Sequence, residues 1–193
     1  MNLAGDDERT RKFVTNLGLI TSSGPHGPNI MAAEWTHHIS HAPSLIAICI
    51  HAVDATAENI DVSREFGVNI CASDQASVAS IAGGSHGNEV DKIGVLQELG
   101  IELYKGKKIN APMVKGAVMN AECRLLGKYE LGDHLTYVGE VIEISALPEK
   151  QPLVYHNGRY WNVGERIEKP PQETLDRIRA LVEKYKKGSG RKH

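Results

Sequence analysis

Little in this sequence of 193 residues is in excess, so what it lacks is informative first. Cysteine is scarce: Cys49, Cys71 and Cys123 lie far apart with no CxxC pair, which removes the usual sign of a disulfide scaffold. Cys49 and Cys71 stand inside apolar runs, where a thiol behaves as a small hydrophobe. No apolar run approaches the roughly 18 residues of a spanning helix. Charge of one sign is absent too, with 24 acidic against 22 basic side chains. That balance gives no electrostatic reason to expect nucleic acid or an anionic membrane as partner. The first residues, MNLAGDDERTRK, are polar and acidic rather than signal-like. There is no internal repeat and no low-complexity tract. The expectation is a soluble, cytoplasmic chain with reduced thiols, long enough to bury a core without staples.

The first half of the chain alternates short β-like runs with glycine and proline turns. FVTNLGLITS (13–22) is rich in strand formers and stops at the turn cluster SGPHGP, which predicts a hairpin with NIMAAEW (29–35). PSLIAICIH (43–51) is a continuous apolar run of strand length, as expected when both faces are covered. TAENIDVSREF (56–66) reads as a short helix capped by Thr56, with Glu58 and Asp61 near its start. FGVNICAS (66–73) reads as a strand and DQASVASIAG (74–83) as a helix ended by Gly83. From residue 83 to about 103 the pattern is mixed and loop-rich.

Two hairpins follow. AECRLLGKYE and HLTYVGEVIEIS flank LGD, with β-branched bulk from Thr136, Val138, Val141, Ile142 and Ile144. LVYHNGRYWNV (153–163) carries Asn157-Gly158, the pair a type I′ turn requires because both central residues need positive φ. After KPP, the segment 171–187 places Leu175, Ile178, Leu181, Val182 and Tyr185 at helical spacing, with Pro171 in the first turn and Gly188 as the stop. GSGRKH reads as a disordered tail. Many short strands, few helices and no repeated βα unit predict an antiparallel barrel or sandwich.

Familiar catalytic patterns are missing as well. There is no HExxH, no GxxxxGK[ST] and no GxGxxG after a strand. His37 and His41 have i, i+4 spacing, but they fall between two strand-like runs and read as loop residues rather than metal ligands, as does His38. Ala32-Ala33 leaves room on a strand, either for a helix packed against it or for a flat ligand lying on the backbone. GGSHGNEVDK (83–92) matches no phosphate-loop spacing. Gly132-Asp133 reads as a hairpin turn, and Trp35 as a core or interface aromatic.

Taken in order, PNIMAAEW…HAPSLIAICI, TAENI…EFGVNI, AG…S…DK, LGDHLTYVGEVIEI and PLVYHNGRYW resemble the flavin reductase-like family, over about residues 12 to 163. The resemblance implies a mainly β protein, an antiparallel Greek-key split β-barrel with short helices and a C-terminal helix packed on the barrel or its partner. It divides the chain into a polar lead (1–11), an FMN-binding domain (12–165), a helix (166–187) and the tail (188–193). By the same resemblance, Asn29, Ile30, Met31, Ala32 and Ala33 line the flavin ring and ribityl chain, largely through backbone groups. Cys49, Ile50 and His51 cover another side of the ring. Thr56, Asn59 and Lys92 lie toward the FMN phosphate, where a helix N-terminus favours an anion. His134, from the GDH motif, lies near the nicotinamide site or is a hairpin residue. Tyr155, Tyr160 and Trp161 are packing aromatics or reach the flavin across a dimer interface.

One departure is visible: Asp54 stands where many relatives carry Arg, so it must point away from a phosphate or leave that role to other donors. The implied protein is a homodimeric oxidoreductase passing electrons from NAD(P)H through FMN to free flavin, ferric iron or a partner protein. The alternatives are a flavoredoxin-type carrier that does not oxidise NAD(P)H, and a binding module without flavin.

Overall fold

Twelve strands and four helices occupy the described residues, 1–3 and 7–186 of a computed structural model. In chain order they are β1 (Val14–Asn16), β2 (Gly18–Ser22), β3 (Asn29–Ala33), β4 (Thr36–His41), β5 (Ser44–His51) and α1 (Ala55–Ser63). Then come β6 (Glu65–Ile70), α2 (Ala76–Gly84), α3 (Lys92–Glu98), β7 (Leu103–Lys105), β8 (Pro112–Val114) and β9 (Met119–Leu131). The last are β10 (His134–Ala146), β11 (Val154–His156), β12 (Arg159–Trp161) and α4 (Gln172–Lys184). The contacts divide the chain into two units, 1–163 and 164–193, and α4 belongs to the second.

Seven strands form one antiparallel sheet in the order β3-β2-β6-β9-β10-β5-β4. Its two edge strands, β3 and β4, are consecutive in sequence and joined only by Glu34-Trp35. So short a link between opposite edges forces the sheet to curl until the edges approach. They do not pair with each other, and the barrel is split at that seam. Gly18 makes the approach possible, since a Cβ there would lie 2.4 Å from the Thr36 hydroxyl. Only a residue without a side chain fits.

Inside the barrel, alternate residues of each strand meet. Ile20, Ile46, Ile48, Ile50, Phe66, Val68, Leu135 and Tyr137 form one buried cluster, joined by Ile60 of α1. A second cluster lies on the other face of β2 and β3, where Leu19 and Ile30 pack beneath Val78, Ala79 and Ala82 of α2 and Ile93 and Leu96 of α3. Each fully buried large aliphatic contributes about 1.5–3 kcal/mol, so both faces of β2–β3 are well anchored. That anchoring holds the edge strand β3 in place although only β2 pairs with it.

Several expectations need correction. The run 13–22 is two strands in different sheets: β1 pairs with β11, whereas β2 pairs with β3 and β6. The chain changes sheet at the buried Leu17. β5 is not evenly covered, because only Ile46, Ile48 and Ile50 are fully inside and the residues between them are half-buried. His37, His38 and His41 lie on β4, an edge strand with a bulge between His38 and Ser40, rather than in a loop. The first helix begins at Ala55, so Asp54, not Thr56, takes the cap position. The region read as loop-rich contains α3, capped by the Asp91 carboxylate accepting from the Gly94 N–H, and the β7–β8 hairpin. Gly188 and the tail lie outside the described residues. Both long hairpins form as expected, with Asn157 at φ 52° and Gly158 at φ 71°.

Candidate functional site

The barrel's register decides which distant residues meet. β5 and β10 pair so that His51 stands opposite His134, and the His134 ring lies 3.9 Å from the His51 ring between centroids. Trp35, in the link between the edge strands, packs on His134 with centroids 4.5 Å apart. The turn residue Asp133 completes the group: its carboxylate is 2.7 Å from His134 Nδ1, and its carbonyl is 3.2 Å from His51 Nδ1. A carbonyl only accepts, so His51 carries its proton on Nδ1. The neighbouring His134 holds the Asp133 carboxyl below the usual carboxylate range. Glu34 lies close by; partial desolvation raises its carboxyl pKa and His134 draws it back down.

A second group lies beyond His51. Its backbone N–H donates to the Asp54 carboxylate at 3.1 Å, so Asp54 turns back toward β5 instead of capping α1. Asp54 is also close enough to act on Lys92, opposing the desolvation that pushes the ammonium pKa down to about 8. Lys92 is only 3% exposed, and its Nζ donates to the carbonyls of Ala82 (3.0 Å) and Ser85 (3.1 Å). An ammonium has three N–H donors, and no carboxylate within ion-pair reach is found among the described residues. Buried charges are ordinarily paired, so this cation is suited to receive an anion. Nearby, Asn29 Nδ2 donates to Thr56 Oγ1 at 2.9 Å, with both residues buried. Gly87 presses on the Asn29 amide so closely that a Cβ would come within 2.4 Å of its oxygen.

The remaining sequence-derived candidates divide. Met31 and Ala33 face the barrel side, whereas Ile30 and Ala32 face the second cluster beneath α2, so Ile30 has no free side chain to offer. The side chain of Ile50 is likewise in the core, and Cys49 is half-buried with Sγ 3.1 Å from Thr136 Oγ1. Asn59 is fully engaged: its amide donates to Ser22 Oγ and Gly27 O and accepts from the His26 N–H. It holds the β2–β3 turn, which makes it a structural residue here. Trp35 is not core, being 44% exposed. Tyr155 packs against the second cluster, whereas Tyr160 and Trp161 are exposed. Sequence reasoning missed Glu34 and Asp133 as members of the site; their signal was adjacency to Trp35 and His134, which means nothing until the register is known.

Among the described residues, no three His, Cys, Asp or Glu side chains gather to hold a metal ion. Two cavities, of about 250 and 270 Å³, open elsewhere, one beside Arg11 and His156, the other between α3 and the β7–β8 hairpin. A band runs from the buried Lys92 through Asp54 and His51 to His134 and the exposed Trp35. No helix among the described residues is long and apolar enough to cross a membrane.

A family model described as a flavin reductase like domain matches residues 10–164. The NADH-dependent FAD reductase of Streptomyces globisporus is 27% identical over 149 residues, covering 77% of this chain and 79% of that protein. Among solved structures, the flavin reductase component of a bacterial two-component tryptophan halogenase matches with a TM-score of 0.71 and 27% identity. It covers 83% of this chain and 100% of its own. The flavoredoxin of Methanosarcina acetivorans matches with a TM-score of 0.74 over 86% of this chain and 93% of its own; at 22% identity it speaks for the fold alone.

Proposed function

Because the chain belongs to the flavin reductase-like family, we propose that it binds FMN and uses it to carry electrons from NADH or NADPH to free flavin, ferric iron or a partner protein. The observation that carries this reading is the band just described, with a buried cation at one end and an exposed aromatic and imidazole face at the other. The residues present fit a flavin nucleotide. Lys92 has an N–H to spare for a phosphate, and the Thr56 hydroxyl keeps its proton while accepting from Asn29. The edge strand β3 has backbone groups on one side that no strand takes up.

The flavin, when bound, supplies the redox chemistry by accepting a hydride equivalent and releasing electrons onward. The chain's own contribution is placement. Lys92 and Thr56 would hold the phosphate end, the unpaired backbone edge of β3 would line the ring, and His134 offers Nε2 to the nicotinamide. Asp133 fixes His134 by accepting its Nδ1–H. No other acid or base is required, since the side chains need only orient two ring systems against each other and keep water out.

A second copy of the chain suits the open face. The outer face of β5, β10 and β9 carries Ala47, Cys49, Val138, Tyr129 and Leu131 in adjacent register positions, and the last two are more than half exposed. Helices α1, α2 and α3 pack on the β2, β3 and β6 side instead. A homodimer across that face would cover both this surface and the site's margin. Three free thiols suit a cytoplasmic setting.

Two measurements test the reading. Heat-released cofactor from protein reconstituted with FMN and FAD together should co-migrate with FMN on a chromatography column; FAD alone would correct the nucleotide, and no flavin would leave only the binding-module alternative. Light scattering should give about twice the 21.1 kDa chain mass, and a monomer that retains flavin would remove the dimer.

A further inference from the structure

Trp35 is 44% exposed and lies outside the core, yet it packs on His134, and the placement above gives it no individual role. Its ring centroid lies 4.5 Å from that of His134, and the His51 ring centroid lies 3.9 Å from the same imidazole. The interplanar angles are 41° and 36°, so both are close, tilted ring contacts. The Asp133 carboxylate takes Nδ1 of the same imidazole. A histidine at the start of a strand ordinarily has two free side-chain torsions; this one has two aromatic rings against its own and one nitrogen occupied. Only Nε2 is left without a partner among the described residues.

We propose that Trp35 and His51 are positioning residues that clamp the His134 ring between their contacts and the Asp133 carboxylate, and so aim Nε2 at the nicotinamide of the reduced dinucleotide. The inference rests on the placement of His134 proposed above and deepens it. The clamp has one jaw in the link between the two edge strands and the other at the end of β5. Its setting therefore depends on closure of the barrel at its split seam. His51 is itself held, by its Nδ1–H on the Asp133 carbonyl and by its backbone N–H on the Asp54 carboxylate. This gives Asp54 a purpose that does not involve a phosphate: it anchors the jaw on the β5 side. The Trp35 carbonyl accepts from the Cys49 N–H at 2.9 Å, which ties the residue to β5; its side chain makes no hydrogen bond among the described residues, so the indole contributes its flat face alone.

The test uses the full-length protein loaded with flavin, following flavin reduction under anaerobic conditions by stopped flow. Trp35→Ala should lower the reduction rate at saturating dinucleotide by about tenfold or more, as expected when a reacting group is misplaced. Flavin affinity should change by less than about twofold, since no flavin contact is removed. Trp35→Phe should restore most of the rate, whereas Trp35→Leu, equally apolar but without a ring face, should not. The double variant Trp35→Ala/His134→Ala should be no slower than His134→Ala alone, because Trp35 acts only through His134.

Additive losses in the double variant, or a Leu variant as fast as the Phe variant, would overturn the clamp. A structural readout separates its failure from that of the functional reading. In a Trp161→Phe background, removing His134 should change Trp35 emission whether or not the protein oxidises NADH or NADPH. Changed emission with a flavin-loaded parent that no dinucleotide reduces would sink the functional reading, and the positioning role with it. Unchanged emission in a protein that does reduce flavin would sink the clamp alone.

Discussion

Replacing Lys92 with Met tests the anion end of the site, and the structure sets the size of the effect. The side chain is buried, and desolvation lowers its pKa from the ordinary 10.5 to about 8 even with Asp54 nearby. That depression corresponds to a cost of about 3 kcal/mol carried by the folded state at neutral pH. A folded-state pKa below the unfolded one means that the unfolded chain holds more protons between about pH 8 and pH 10.5. Stability should therefore rise with pH across that window, and Lys92→Met should flatten the rise.

A phosphate at Nζ reverses the balance by giving the cation its counter-charge. A charge-assisted hydrogen bond of about 1.5–3 kcal/mol then makes FMN affinity about 10- to 100-fold weaker in Lys92→Met. Riboflavin, which has no phosphate, should bind variant and parent alike. In the parent, FMN affinity should also be about tenfold weaker at pH 9 than at pH 7, because the free site must first take up a proton. Flavin fluorescence titrations with FMN and riboflavin at both pH values measure all of this. If Lys92→Met weakens both flavins equally, or neither, Lys92 is not the phosphate ligand and its cation only ties α2 to α3.

Other expectations follow from single side chains. Asn59→Ala removes three hydrogen bonds that hold the β2–β3 turn and should cost about 2–4 kcal/mol in urea unfolding, where a loss under 1 would deny it the structural role. The buried Glu122 carboxylate accepts N–H groups from Lys107, Lys108 and Ile109, so Glu122→Gln should destabilise by about 2–3 kcal/mol, and an unchanged melt would contradict that. His134→Ala should slow flavin reduction with FMN affinity nearly intact; an unchanged rate at saturating NADH and NADPH would return it to being a hairpin residue.

How far the sequence could be read varies with the physics that forms each part. The β9–β10 and β11–β12 hairpins were legible because their turns need particular residues, Gly132-Asp133 and Asn157-Gly158, between β-branched and aromatic runs. The break at Leu17 was not, because the strand-forming pattern continues through it and the two pieces differ only in their distant partners, β11 for β1 and β6 for β2. The region after residue 83 was opaque for a related reason. Helix α3 has seven residues, too few for a periodic signal, and the loop before β8 is held by a carboxylate on β9.

The site shows the same division. Asn29, Thr56 and Lys92 came from the order of motifs, and the structure does bring Thr56 to Asn29. Asn59 came the same way, and its amide is taken up by the β2–β3 turn. Local chemistry left Trp35 as a core or interface aromatic, because its contact with His134 exists only through the β5–β10 register and the curl of the sheet.

The central claim is that the Lys92 end of the band holds a flavin and the His134 end lets a reduced dinucleotide reach it. Anaerobic mixing of the flavin-loaded protein with NADH, and separately with NADPH, tests it most directly. Bleaching of the flavin's visible absorbance by at least one donor, with colour returning when free flavin or ferric iron is added, is the result the account expects. A protein that binds flavin and is bleached by neither donor, yet is readily reduced by dithionite, would be an electron carrier, and the proposed nicotinamide face would have no role.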